Sequence, residues 1–488
     1  MSRLSLRSKI MAAVLSATAM VGSANADVKL PKVIASRMVL QQKLPITIWG
    51  TADKGEEVTV SIGDNTSSTK AGEDGKWSVK LKEMDAGGPH EVVIKGKNVI
   101  KLTDVLIGEV WVASGQSNME WSVWASDNPQ QEVSAANFPT IRLFHVKKVP
   151  SVLPAAEIVL EHERPDKQLD SGWSECSPQT VGSFSAVAYY FGRELQKDLK
   201  VPVGLINTSW GGTAIEPWTP IVGFESVESL KPIAEQVKAQ QAKPEGVNPN
   251  PGAPMNLYNG MVHPLVPFGI RGAIWYQGES NRGQGVGYEQ RMHALINGWR
   301  SVWGQGDFPF LFVQLAPFKY VKPPMTDPNY LLPQVWEAQT KVLAMKNTGM
   351  AVTTDITNLD DIHPKNKQDV GKRLALWALA KTYGKSDLVY SGPLYKSMKV
   401  EGHKIRIEFD HIGGGLKSRD GKPLSWFTIA GKTGDFVDAK AEIEGNTVVV
   451  SSDGIPEPAA VRFGWSELAE PNLMNAEGLP AGPFRTSR

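Results

Sequence analysis

The sequence predicts an α/β domain built on a parallel sheet, with an antiparallel β domain on either side. Two patterns carry this expectation. Between residues 105 and 388, short apolar runs alternate with stretches of helical period. Residues 27–104 and 389–488 instead alternate apolar and polar residues between Gly-rich and Asp-rich clusters, the signature of short antiparallel strands. The length agrees, because 488 residues correspond to about three folding units at roughly 150 residues each.

The elements can be justified in order. Residues 46–49, 58–62 and 91–94 read as strands of the first β domain. In the middle region the predicted strands are 105–113, 203–207, 271–276, 310–315 and 350–354. The predicted helices are 186–199, 288–303, 334–345 and 366–383. The last carries Val370, Leu374, Trp377 and Ala378 at helical spacing, a stripe that faces a core. Five strands with intervening helices predict a three-layer, flavodoxin-like sheet. Residues 127–180 and 240–256 match no element and are expected as long loops, the former as an insertion. Residues 404–408, 441–443 and 448–451 read as strands of the last domain.

Composition excludes several function classes. With 41% hydrophobic and 21% charged residues, the chain fits neither a disordered nor a low-complexity protein. The net charge is +1, and without Arg3, Arg7 and Lys9 it becomes −2, from 49 basic and 51 acidic residues. A chain so balanced, without a long basic run, lacks the footprint of a phosphate-backbone binder. Residues 1–26 combine a basic start, an apolar stretch and Ala24-Asn25-Ala26, which reads as a secretory signal and predicts a periplasmic or extracellular protein. No later run is long enough to span a bilayer. The single cysteine, Cys176, permits no intramolecular disulfide and no cysteine-ligated zinc.

In open α/β sheets ligands bind beyond the carboxyl ends of the strands. The residues found there are Ser114-Gly-Gln-Ser-Asn-Met-Glu-Trp121, Asn207-Thr-Ser-Trp-Gly-Gly-Thr213, Gln277-Gly-Glu-Ser-Asn281, and Asp355 followed by Asp360-Asp-Ile-His-Pro364. A hydroxyl nucleophile needs a base within reach and a carboxylate to orient that base. Of eight histidines, His363 is the most economical partner for Ser117, because it follows a strand and has Asp360 three residues before it. His263 precedes a strand and His293 sits in mid-helix. Spacing favours Asp360 as the orienting acid and leaves Asp355 and Asp361 as rivals. Donors for an oxyanion are available from the Ser117 N–H, a glycine at Gly211-Gly212 and the Gln277 amide. Glu279 admits a second reading, as one carboxylate of a glycosidase pair or as a substrate-holding group.

The blocks Gly115-Gln-Ser-Asn-Met119, Trp210-Gly-Gly-Thr213, Trp275-Tyr-Gln-Gly-Glu-Ser-Asn281 and Asp361-Ile-His-Pro364 resemble those of the SGNH (GDSL-like) hydrolases, in particular the sialate O-acetylesterase branch. Met38–Gln42 and Gly478–Phe484 resemble that branch as well. The resemblance implies a carbohydrate esterase that removes O-acetyl groups without metal or organic cofactor. It implies Ser117 as nucleophile, His363 as base, and an oxyanion hole of Ser117, Gly212 and Gln277. Gln277 replaces the asparagine of the wider superfamily, and the Asp-Ile-His-Pro string draws attention to Asp361 as much as to Asp360. Trp121, Trp124, Trp210 and Trp218 are candidates to stack on sugar faces, and Arg142, Arg271 and Arg282 are candidates to meet a sialate carboxylate. The sugar is open between an O-acetylated sialoglycan and acetylated xylan or another plant glycan. A secreted glycan-binding protein without turnover is the alternative from another class; it predicts a missing nucleophile or base, and both residues are present. Gly431-Lys-Thr433 is not a phosphate loop, because Trp426 stands where a glycine is needed.

If residues 1–26 are a signal, intact mass of the exported protein will place its N-terminus at Asp27. Retention of Met1 would defeat that reading.

Overall fold

A computed structural model describes residues 27–160, 172–320 and 331–486. The expected secretory segment therefore lies outside the described residues, as do residues 161–171 of the expected insertion. The fold is organised on one strand, β1 (Val99–Gly115). Its burial alternates as far as Asp104 and is then continuous from Val105 to Gly115. The first pattern suits a sheet with one wet face, the second a sheet covered on both faces. The pairing follows the pattern. The first part of β1 runs antiparallel to Gly87–Lys95, and the second part runs parallel to its neighbours on both sides. The N-terminal β layer and the α/β layer thus share one 11-stranded sheet.

The remaining strands of the α/β part are β2 (Phe138–His145), β3 (Trp173–Cys176), β4 (Val203–Asn207), β5 (Gly272–Tyr276), β6 (Phe310–Val313) and β7 (Thr348–Ala351). Their order is β7-β6-β5-β1-β4-β2-β3. All pairs are parallel except β2 with β3. The five predicted strands occupy the flavodoxin-like positions, so the predicted fold class holds. Four long helices pack on this sheet: α1 (Ala186–Leu199), α2 (Tyr288–Trp303), α3 (Leu332–Val342) and α4 (Lys367–Lys381). Helix α1 packs against α4, and α2 against α3. Val370, Leu374, Trp377 and Ala378 of α4 are buried as their spacing predicts.

The stretch 127–180 requires correction. It contains a short helix, Pro129–Ser134, and strands β2 and β3 rather than a plain loop. Its sequence hides β2 because Arg142 interrupts the apolar run. The guanidinium is tolerated because Nη1 and Nη2 donate to the Asp104 carboxylate at 2.8 and 3.0 Å and Nε donates to the Pro139 carbonyl at 2.7 Å. Residues 240–256 also begin in structure, at the end of the helix Lys231–Ala242, before turning.

Beyond α4 the chain forms two four-stranded antiparallel sheets around a core that includes Ile405, Ile407, Phe427, Val448, Val461 and Phe463. This part touches the loops at the carboxyl end of the parallel sheet. Thr354 Oγ1 donates to the Ala481 carbonyl at 3.2 Å, and Thr357 Oγ1 to Glu470 Oε1 at 2.5 Å. Among the described residues no helix is long and apolar enough to cross a membrane.

Candidate active site

Strand β1 ends at Gly115, where φ is +136° and an added Cβ would lie 2.2 Å from the Tyr276 carbonyl oxygen. Only glycine satisfies both conditions. The chain then turns sharply into a single helical turn, Ser117–Glu120, which lifts Ser117 to the carboxyl edge of the sheet. The Asn207 end of β4 lies beside Ala113, and the Tyr276 end of β5 lies beside Gly115. Three of the four blocks therefore converge by strand register alone.

The fourth block arrives on the loop after β7. His363 Nε2 lies 2.8 Å from Ser117 Oγ. The acid brought to the imidazole is Asp361, whose Oδ1 is 3.5 Å from Nδ1 and accepts the His363 backbone N–H at 2.9 Å. Asp360 points elsewhere and is exposed, and the structure does not bring it to His363. In a tight turn the residue two before the histidine closes a local ring onto its N–H, whereas three-residue spacing would need a helical turn that this loop lacks. Asp355 is engaged by Arg373, with two N–H···O contacts of 2.7 Å. The Trp121 ring stacks on His363 at 4.5 Å and 14°. Burial draws the His363 imidazole below its ordinary 6.5, Lys367 acts in the same direction, and Asp361 opposes both.

The expected oxyanion donors divide into two kinds. Among the described residues the N–H groups of Ser117 and Gly212 have no internal acceptor. The Gly211-Gly212 turn lies against Ser117, since a Cβ on Gly211 would be 3.2 Å from Ser117 Cβ. Glu120 Oε2 holds this turn by accepting the Gly211 N–H at 2.5 Å, while its other oxygen pairs with Lys148. Gln277 does not join these donors. It is wholly buried. Its Nε2 donates to Gln116 Oε1 at 3.1 Å, the Thr213 carbonyl at 3.1 Å and Asn281 Oδ1 at 2.7 Å. Its Oε1 accepts the Tyr288 hydroxyl at 2.7 Å. An amide so fully engaged below the site serves to tie the first three blocks together.

Glu279 is also displaced from its expected role. Its Oε1 accepts from Asn118 Nδ2 at 2.6 Å, and its Oε2 is buried with no hydrogen bond of good geometry among the described residues. The Asn118 amide also binds Lys367 Nζ through Oδ1 and the Ile362 carbonyl through Nδ2, at 3.0 Å for the latter. Burial pulls Lys367 down to about 7 and pushes Glu279 upward, each against the attraction of the other. One oxygen of this carboxyl is spent on holding the Asn118 amide. Lys367 was not singled out by the sequence. The available signal was a lysine at the first residue of a helix, where the dipole disfavours a cation.

The other candidates separate by exposure. Trp218 is fully buried and Trp210 packs against the core, whereas Trp124 is 53% exposed. Arg271 pairs with Glu109, six residues before Gly115 and roughly 20 Å down the strand. Arg142 is held by Asp104, also toward the amino end of β1. Arg282 stacks on the Tyr320 ring at 4.5 Å and approaches Glu467 at 3.5 Å. Cys176 is buried, which raises its thiol to about 12 and leaves it inert.

Residues 107–380 match the family described as carbohydrate esterase, sialic acid-specific acetylesterase. The human sialate O-acetylesterase is 34% identical over 419 residues, covering 78% of this chain and 76% of its own. The mouse sialate O-acetylesterase is 32% identical over 437 residues, with 78% of each chain covered. A solved carbohydrate acetylesterase from Xanthomonas citri superposes with a TM-score of 0.84 at 38% identity, over 94% of this chain and 99% of that one. The chain belongs to the sialic acid-specific acetylesterase family of carbohydrate esterases and is a hydrolase of carbohydrate O-acetyl esters.

Proposed function

We propose that the enzyme removes O-acetyl groups from a glycan outside the cytoplasm, through an acetyl-Ser117 intermediate. The observation that carries this reading is the 2.8 Å contact between Ser117 Oγ and His363 Nε2 at the convergence of the four blocks. His363 accepts the Ser117 proton as Oγ attacks the acetyl carbonyl, and Asp361 stabilises the imidazolium that forms. The Ser117 and Gly212 N–H groups stabilise the oxyanion. His363 returns the proton to the departing sugar oxygen. Water then gives up a proton to His363 and attacks the acetyl-serine, releasing acetate.

O-acetylated sialic acid is the first substrate to consider, in keeping with the mammalian relatives. A second reading, an acetylated neutral plant polysaccharide such as xylan, is favoured by the engagement of the three candidate arginines with internal partners. In either case Trp124 is the aromatic positioned for a sugar face. Its segment touches the His363 loop at both ends, through the stacking of Trp121 on His363 and the Asp127 N–H on the Lys365 carbonyl at 3.0 Å. Gly182 lets the indole lie against the backbone, since a Cβ there would be 2.0 Å from Trp124 Nε1.

Acetate release from both substrates tests the reading. Ser117→Ala is expected to lower kcat by at least about 10⁴-fold, and Asp361→Asn by about 10² to 10⁴-fold. Asp360→Asn is expected to stay within about threefold of wild type; a larger loss from it than from Asp361→Asn would reassign the acid. Because the base must be neutral and its pKa is lowered, kcat/KM on a small acetate ester should fall as the pH drops through a midpoint below 6.5. A midpoint above 6.5 would contradict the burial of His363. Trp124→Ala should raise KM for the glycan by about tenfold while leaving a small acetate ester unaffected. Equal changes on both would remove Trp124 from the sugar site.

A further inference from the structure

We infer that Lys367 and Glu279 act as positioning residues, using the Asn118 amide as a crosspiece between the nucleophile's turn and the loop of the base. This inference rests on the Ser117 and His363 mechanism proposed above. Asn118 follows Ser117 directly, and the Ile362 carbonyl precedes His363 directly. The only covalent neighbours of the reacting pair on these sides are therefore joined by one hydrogen bond, of 3.0 Å, from Asn118 Nδ2 to the Ile362 oxygen.

The orientation of that amide is fixed by its surroundings. A backbone carbonyl accepts only, so Nδ2 must face Ile362 and Oδ1 must face away. Lys367 Nζ meets Oδ1, and Glu279 Oε1 takes the second Nδ2 hydrogen at 2.6 Å. Each amide position is thereby used, and Asn118 is 2% exposed. Lys367 is itself fully buried, with its Nζ 5.3 Å from the centre of the Tyr276 ring and 5.9 Å from that of Trp121, the ring stacked on His363. Lys367 opens helix α4 and Glu279 follows β5, so the crosspiece joins three separate segments at the dyad.

Burying a lysine and a glutamate has a desolvation cost that packing alone would not demand. Their placement on opposite ends of a single amide accounts for both. Removing one leaves the other buried without compensation, whereas removing both charges together relieves that cost.

The test uses the full-length enzyme and p-nitrophenyl acetate, which needs no sugar recognition. Asn118→Asp is isosteric and keeps the Lys367 partner but cannot donate to Ile362. It should lower kcat by about 100-fold with KM within about twofold, the loss expected when a catalytic group drifts by about 1 Å. Lys367→Met should lose a comparable factor, and Lys367→Met with Glu279→Gln should recover at least about tenfold of it. Should the lysine variants fail to fold, Asn118→Asp carries the test. The ¹⁵N signals of the His363 imidazole give a readout independent of turnover, and they should move in Asn118→Asp. An unmoved His363 signal, a kcat within twofold of wild type in Asn118→Asp, or a double variant no faster than Lys367→Met would each overturn the crosspiece. Full activity of Ser117→Ala would instead overturn the serine mechanism, leaving the imidazole signal to decide the crosspiece.

Discussion

Beneath Ser117 the protein buries Gln116, Asn118, Gln277 and Asn281, and a buried amide left unpaired costs about 1–3 kcal/mol. That constraint shapes the site. Gln116 Oε1 accepts from Gln277 Nε2, Gly278 N–H and Ser280 N–H. Gln277 passes the connection to Thr213 and Asn281. Asn281 receives the Ile215 N–H at 2.9 Å and donates to Glu216, whose other oxygen takes Arg291 Nε at 2.6 Å. The geometry of the Ser117 turn and the glycine turn is thus the surface of a hydrogen-bonded polar network. Under the mechanism proposed above, an amide lattice below Ser117 suits a reaction in which the protein must not reorganise as charge develops.

His363 is supported differently. Its loop, between β7 and α4, is held in part by contacts made from outside it. Trp121 covers one face of the imidazole, Asn118 holds the preceding carbonyl, and the C-terminal β domain grips Thr354 and Thr357 further back. Arg419 of that domain also reaches the Asp355 carbonyl, at 3.4 Å, while the Asp355 carboxylate is clamped by Arg373. The β domain is therefore structurally continuous with the His363 loop. The N-terminal β layer braces Ser117 from the other direction, because β1 runs through that layer and ends two residues before Ser117.

These arrangements explain which sequence expectations hold in space. Ser117 and Gly212 stand beyond the carboxyl ends of the adjacent parallel strands β1 and β4, and His363 stands on the loop that follows β7. Gln277 stands at the right strand end, but its side chain turns down into the amide lattice. Asp360 and Asp361 differ by one residue, a distinction that loop conformation makes and composition does not. Glu279 has the residue type of a catalytic acid and the surroundings of a buried strut. Strand β2 was hidden by Arg142, whose carboxylate partner, Asp104, lies 38 residues away in the chain.

Sequence by itself determined the alternation of strands and helices, the flanking β layers, and the serine, glycine and histidine of the site. Those features are written in local periodicity and in the residues that end each strand, so short windows reveal them. Tertiary structure alone decided the direction of each long polar side chain: Asp361 rather than Asp360 at His363, Gln277 inside the lattice, Lys367 against Asn118. The reason is physical. A buried donor or acceptor is satisfied by whichever partner the packing brings within about 3 Å, and for Lys367 and Asn118 that partner lies 249 residues away in the chain.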